Sequence, residues 1–335
     1  MTTRTRRFTT MLAAAATVAA LSGAIAGPAA PASAAWAPQI ERLSGADRYQ
    51  TAVAISKKFP AGPTHVFIAT GEAFPDALSV SALASSYESP LLLVQKNSIP
   101  AGVVNEIKRL KPREILIAGG TGAVSKNVEN QLSKLVGELN RASGADRYDT
   151  SLAIAQFGPW YNGATFVATG RDFPDALTAA PVAGDFGAPV LLVDGKRSSL
   201  DSATKNAIVA NGPKFAAVIG GTGAVSAGIF KQLGGLHATM YRFNGSDRYE
   251  TGVKLNDQHF GSDYDVAYLA VGTGYADALA GGSLAAQNGP LFLVQRNCIP
   301  SVVLDSLNKA QPAKVVLLGG KGVLTDGVAK LKRCA

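Results

Sequence analysis

The 335-residue chain carries 32 lysines and arginines against 24 acids, for a net charge of +8, and 47% of it is hydrophobic. That balance is globular rather than disordered, and without a dense Lys/Arg run it does not favour nucleic acid. Three histidines and two cysteines leave little material for a metal centre or for histidine-based catalysis.

The first element is not expected to belong to the fold. Arg4, Arg6 and Arg7 precede an apolar, alanine-rich run from Met11 to Gly27, and Ala32-Ser33-Ala34 has the form of a cleavage site. This is the layout of a secretory signal peptide over residues 1–34. A retained anchor fits less well, because the run is short and breaks at Gly27 and Pro28. Removal leaves a charge of +5, compatible with an anionic partner or with simple solubility. No later stretch reaches membrane-spanning length without Gly, Pro or charge.

The rest repeats itself. Arg42-Leu-Ser-Gly-Ala-Asp-Arg-Tyr49 returns at Arg141–Tyr148 and, as Arg-Phe-Asn-Gly-Ser-Asp-Arg-Tyr, at Arg242–Tyr249. Asp47 and Asp146 are 99 residues apart, and Asp146 and Asp247 are 101 apart. That period suits a small domain and is too long for a solenoid unit. The expected modules are residues 35–136, 137–236 and 237–335.

Within a module, Asp47 is a good N-cap for a helix reaching about Phe59. Val66–Ala69 is a short apolar strand ending at Thr70-Gly71. Pro75 and Asp76 suit the first turn of a second helix, which runs through alanines to about Ser86. Leu91–Val94 is a second strand, Ser98 and Pro100 announce a third helix, and Ile115–Ala118 is a third strand closed by Gly119-Gly120. Ser125 caps a fourth helix, with Ser226 and Thr325 in its place later. A weaker extended segment precedes each Arg-x-x-Gly, as at Met240–Phe243. Short apolar strands alternating with helices predict α/β modules: three tandem small three-layer domains with short parallel sheets of three or four strands, touching one another.

Ligands of such sheets bind beyond the C-terminal strand ends. Three repeated features are expected to converge there: Thr70-Gly71, the helix start at Asp76 and Gly119-Gly-Thr-Gly122. Gly120-Thr121, Gly221-Thr222 and Gly320-Lys321 lie in loops that either cradle an anion at a helix start or simply turn the chain. Arg48, Arg147 and Arg248 either grip an anionic glycan or pair structurally with Asp76, Asp175 and Asp277. Tyr49, Tyr148 and Tyr249 are expected to pack rather than to stack on sugars. Catalytic arrangements are weak: His65, His237 and His259 occupy non-equivalent places, and Gly281-Gly282-Ser283 lies inside a helix pattern. No metal or cofactor is expected. Cys298 and Cys334 are candidates for a disulfide closing about 37 residues.

Arg-x-x-Gly-Ala-Asp-Arg-Tyr-x-Thr, Phe-Pro-Asp-Ala-Leu, Pro-Leu-Leu-Leu-Val and Gly-Gly-Thr-Gly-Ala-Val-Ser, in that order, resemble the cell-wall-binding repeat type 2 family over about residues 36–335. The resemblance implies a pseudo-threefold assembly of three modules. It also implies non-covalent attachment of an exported protein to a Gram-positive envelope through anionic secondary wall polysaccharide, without catalysis, as a monomer. With no hydrophobic C-terminal tail, non-covalent holding is the expected route to the wall. The alternatives are a modifier of a wall hydrolase, a weak wall-active enzyme, or a surface-layer component. Lys321, Thr325 and Tyr275-Ala276 mark the third module as the most divergent.

Overall fold

The computed structural model describes residues 36–158 and 163–335; the expected signal peptide lies outside the described residues. Among the described residues, twelve strands form three four-stranded, all-parallel sheets. The first module contributes β1 (Gln39–Leu43), α1 (Arg48–Ser56), β2 (His65–Thr70), α2 (Pro75–Ser86), β3 (Leu91–Val94), α3 (Ala101–Leu110), β4 (Glu114–Ala118) and α4 (Lys126–Leu132). The second gives β5 (Glu138–Ala142), α5 (Arg147–Ala155), β6 (Ala164–Thr169), α6 (Pro174–Asp185), β7 (Val190–Val193), α7 (Ser202–Ala210), β8 (Phe215–Ile219) and α8 (Ala227–Gly234). The third gives β9 (Thr239–Phe243), α9 (Arg248–Phe260), β10 (Val266–Val271), α10 (Ala276–Asn288), β11 (Leu291–Val294), α11 (Ser301–Ala310), β12 (Lys314–Leu318) and α12 (Asp326–Ala329).

The expected limits at 136/137 and 236/237 do not coincide with the sheets. The sheet orders are β3-β2-β4-β5, β7-β6-β8-β9 and β11-β10-β12-β1. Each extended segment before an Arg-x-x-Gly is therefore the edge strand of the preceding module's sheet, not a linker. The reason is local: α4 and its equivalents return the chain beside the strand just left, and a parallel edge is open there. The N-terminal β1 joins the third sheet, with Gln39 opposite Lys314 and Leu43 opposite Leu318, so the chain closes into a ring.

Alternation along the strands separates two kinds of core. Inward residues such as Phe67, Leu116, Phe166, Ala217, Tyr268 and Val316 join one cluster shared by all three modules and centred on α2, α6 and α10. Outward residues pack separately in each module, as Val66, Ile68, Ile115 and Ile117 do under α3 and α4. The three inner helices bury nearly every side chain beyond their first turn, which explains an alanine-rich sequence with no polar face. Small residues let them approach closely. A Cβ on Gly184 would stand 2.1 Å from Ser85 Cβ, and one on Gly282 would stand 2.6 Å from Ser81 Oγ. Ser81 Oγ also donates to the Leu279 carbonyl at 3.0 Å.

Cys298 and Cys334 are joined, with Cα atoms 5.0 Å apart, fixing the C-terminal tail to the loop after β11. The adjacent Ile299 and Arg333 form a parallel bridge. Loop-closure entropy gives this bond roughly 3–4 kcal/mol. Reduction is expected to lower the melting temperature by several degrees in a thermal scan, and the Cys298→Ser/Cys334→Ser variant should melt with the reduced protein.

Candidate functional site

Each Arg-x-x-Gly-x-Asp-Arg-Tyr segment builds one helix start. Asp47 accepts from Gln50 N at 2.7 Å; Asp146 and Asp247 each accept from the second and third helical N–H groups. The threonine one turn on holds the glycine, with Gly45, Gly144 and Gly245 N donating to Thr51, Thr150 and Thr251 Oγ1 at 3.1, 3.0 and 2.9 Å. These bonds fix the arginine that follows the cap. Arg147 and Arg248 donate through Nη1 to the Gly170 and Gly272 carbonyls at 2.6 and 2.7 Å, and Arg48 donates likewise to Gly71. Each arginine is thus tied to the turn that closes the next strand of its own module. The tyrosines pack as expected: Tyr49, Tyr148 and Tyr249 lie against Gly71, Gly170 and Gly272.

The same arginines reach into a neighbouring module. Arg48 lies over the Tyr275 ring, Arg147 over Phe74 and Arg248 over Phe173, at 5.6, 5.8 and 5.9 Å. The three rings touch one another, with centroids 5.7, 5.8 and 5.8 Å apart. They cap α2, α6 and α10. One aromatic cluster therefore sits where three helix N-termini meet, ringed by three guanidinium groups, two of them exposed. In module 3 the Tyr275 hydroxyl adds a bond from Arg48 Nη1 at 3.2 Å. Arg248 alone also approaches an exposed carboxylate, Asp172, at 3.8 Å.

A direct pairing of these arginines with Asp76, Asp175 and Asp277 is not what the structure contains. The guanidinium groups bond to backbone carbonyls, and each carboxyl feels the arginine of the adjoining module: Asp76 that of Arg147, Asp175 that of Arg248, Asp277 that of Arg48. The carboxyls lie beneath the glycine loops. A Cβ on Gly119 would stand 2.2 Å from Asp76 Oδ2, and Gly220 and Gly319 stand the same way to Asp175 and Asp277 at 2.4 and 2.5 Å. With φ of +101°, +107° and +115°, these glycines are required for conformation and for space.

The loops themselves do not open straight into helices. Ala123 N and Val124 N return to the Gly120 carbonyl, and α4 begins only at Lys126, where Ser125 Oγ already accepts from Val128 N. Gly120-Thr121 thus lies in a turn that precedes the helix start, and Gly221-Thr222 and Gly320-Lys321 take the same place in the other modules. Thr121, Thr222 and Lys321 are exposed, and Lys321 Nζ pairs with Asp326 at 3.2 Å. The residues that brace these loops were not singled out from the sequence. Arg42, Arg141 and Arg242, on the edge strands, donate to the Gly319, Gly119 and Gly220 carbonyls at 2.8, 2.6 and 2.8 Å. Their signal was present, since they open the repeated motif.

In each sheet the chain winds one way from β2 and the other way from β4, leaving a crevice between them where α/β sheets bind ligands. Thr70-Gly71 and Gly119-Gly120 close those two strands. The arginines, the axial rings and the glycine loops thus share the C-terminal end of the sheets.

Burial sets the charge state of the carboxyls. It raises Asp76, and it pushes Asp175 up to about 6, with Asp172 adding to the shift and Arg248 opposing it. Asp277 is also pushed up to about 6 by burial, against a Thr51 hydrogen bond and Arg48. Folded values above unfolded ones mean stability that is complete at about pH 4 and lost as pH rises through about 6. For Asp175 and Asp277 the contribution is on the order of 2–3 kcal/mol each. His237 is buried with a lowered pKa and opposes this trend below its unfolded value. Asp175→Asn and Asp277→Asn are expected to raise the melting temperature at neutral pH and to flatten its rise on acidification. Thermal scans from about pH 5 to about pH 7.5 check this, and unchanged slopes would contradict it.

Ser283 is fully buried and donates to the Ala280 carbonyl inside α10. Among the described residues, no group of three or more His, Cys, Asp or Glu could hold a metal, and no helix is long and apolar enough to cross a membrane.

The chain matches the family Cell wall binding domain 2 (CWB2) at residues 42–129, 141–230 and 242–329. It is 32% identical over 251 residues to N-acetylmuramoyl-L-alanine amidase LytC of Bacillus subtilis, covering 74% of this chain and 48% of the amidase. It is 35% identical over 263 residues to the Amidase enhancer of the same organism, covering 78% of this chain and 35% of that protein. The chain thus spans about half and about a third of the length of these two relatives. Among solved structures, Cwp6 from Clostridium difficile is similar at a TM-score of 0.80 and 28% identity, over 88% of this chain and 48% of Cwp6. Cwp8 from the same organism gives 0.79 and 28%, over 88% of this chain and 51% of Cwp8. With three tandem copies across most of its length, the chain belongs to the Cell wall binding domain 2 family.

Proposed function

We infer that this is an exported, non-catalytic protein that attaches to the Gram-positive wall by multivalent, non-covalent contact with an anionic secondary wall polysaccharide, as a monomer. The observation that carries this reading is the ring of Arg48, Arg147 and Arg248 around the axial aromatic cluster. One cation per module is placed at the strand ends, where the arginine fork suits carboxylate and phosphate groups. The basic surplus that would remain after export supports it. Contacts of this kind are individually weak, and rigid linkage of three can raise affinity by about 10²–10⁴. Co-sedimentation with purified walls tests the reading. Binding should fall as salt screens the charges and should be lost when the anionic polymers are stripped. Equal binding to stripped walls would exclude the polymer as receptor.

A second reading rests on the likeness to an amidase enhancer. The protein would then alter the rate of a wall amidase rather than only occupy the wall. Adding it to a wall-clearing assay with a purified amidase separates the two: attachment alone leaves the initial rate per bound enzyme unchanged.

A further inference from the structure

The three arginines at the strand ends are not equivalent, and one side chain makes the difference. The residue before each axial ring is Ala73 in module 1, Asp172 in module 2 and Gly274 in module 3. Arg147 lies over Phe74, next to Ala73, and Arg48 lies over Tyr275, next to Gly274; both arginines are exposed. Arg248 lies over Phe173, next to Asp172, and its Nη2 is 3.8 Å from Asp172 Oδ2. Arg248 is half-buried, while the Asp172 side chain is 56% exposed. The other charged residues of these loops are engaged elsewhere: Glu72 Oε1 accepts from Lys96 N at 3.1 Å, and Arg171 holds Asp194 at 2.6 and 3.0 Å. Asp47, Asp146 and Asp247 precede all three arginines alike and do not distinguish them. The buried carboxyls show the same asymmetry. Asp175 feels Asp172 as well as Arg248, and no such acid acts on Asp76 or Asp277.

We propose that Asp172 is a specificity residue of the polymer site: a fixed counter-ion that competes with the polymer's anionic groups for Arg248, so that Arg48 and Arg147 carry most of the grip and the Arg248 contact is the weakest of the three. The geometry of the guanidinium supports this. Nη1 of each arginine is taken by a turn carbonyl of its own module, so an incoming anion meets the remaining edge. In Arg248 that edge includes Nη2, the nitrogen that already faces Asp172. Asp172 Oδ1 accepts from Phe173 N at 2.9 Å, which leaves Oδ2 toward Arg248. Alanine and glycine at the equivalent places show that the fold does not need a carboxylate there. An ion pair this exposed is weak, so a multivalent anion can displace it, but the displacement lowers what that contact contributes. The proposal deepens the wall-binding reading and rests on it.

The test is a pelleting titration of the full chain with purified walls at low and high salt. Asp172→Asn removes the charge and keeps an oxygen for Phe173 N. It is expected to bind roughly two- to fivefold tighter at low salt, with the gain fading at high salt. Asp263→Asn removes an exposed charge just before β10, at the opposite end of the sheet, and should leave the affinity unchanged. Arg248→Gln should cost less than Arg48→Gln or Arg147→Gln in the native background, and as much as either in the Asp172→Asn background. No gain in Asp172→Asn, an equal gain in Asp263→Asn, or a gain that persists when Arg248 is also replaced by glutamine overturns the proposal. Glutamine at all three arginines separates the two readings. If that variant binds like the native protein, the anionic-polymer reading falls and the proposal falls with it. If it loses binding while Asp172→Asn changes nothing, only the proposal falls.

Discussion

Replacing Arg48, Arg147 and Arg248 together by glutamine is expected to weaken binding to intact walls by roughly two orders of magnitude. A single replacement should weaken it by less than about tenfold, because two cations remain on the same rigid face. Each of these arginines has two duties. Nη1 donates to a turn carbonyl of its own module, and the guanidinium covers an aromatic ring of the preceding module around the ring. Losing a charge-assisted bond costs about 1.5–3 kcal/mol, so the triple variant should also melt lower. Lysine at the three positions separates the effects, since it keeps the charge but loses the planar fork. If charge alone holds the polymer, the lysine protein recovers most of the binding in a wall-pelleting titration. A folded glutamine variant with native affinity would show that these arginines serve only the fold.

Gly184→Val is expected to destabilise the protein by about 3 kcal/mol, the upper part of the range for an overpacked core. The added side chain begins 2.1 Å from Ser85 Cβ and 3.0 Å from the Ala82 carbonyl, where α6 crosses α2. The atoms it meets are backbone of α2 and the Ser85 Cβ fixed to that backbone, so no flexible side-chain end can yield. Valine's better helix propensity recovers only a few tenths of a kcal/mol. Because the inner cluster is shared by all modules, the damage should appear as a lower melting temperature of the whole protein, not of one third of it. Gly137→Ala is the control: nothing stands within 4 Å of its added Cβ, and a shift of less than about 0.5 kcal/mol is expected. Equal stability of the two variants in denaturant titrations would contradict tight contact of the inner helices.

Local rules carried much of this fold in the sequence. Asp47, Asp146 and Asp247 cap helices because a short carboxylate can reach the second and third N–H groups, and the motif places one at each start. Leu91–Val94 is a strand because four consecutive apolar residues between a proline and polar residues need burial on both faces. The fate of Glu138–Ala142 was not legible. As an edge strand it is mostly half-exposed, so its pattern is weak, and which sheet it joins depends on how α4 returns the chain. The arginines followed the same division. Their recurrence marked them as important, but whether Arg147 meets Asp76 or the Gly170 carbonyl is decided by packing between modules. The aromatic cluster of Phe74, Phe173 and Tyr275 joins residues about 100 positions apart, and only the ring arrangement brings them into contact.

Hydrogen–deuterium exchange of the intact protein, with and without purified anionic wall polysaccharide, tests most directly whether three modules hold one polymer at their strand ends. Protection should appear at the helix starts after Asp47, Asp146 and Asp247 and at the turns around Gly71, Gly170 and Gly272, in all three modules together. Protection confined to one module, or to the outer helices α3, α7 and α11, would contradict it.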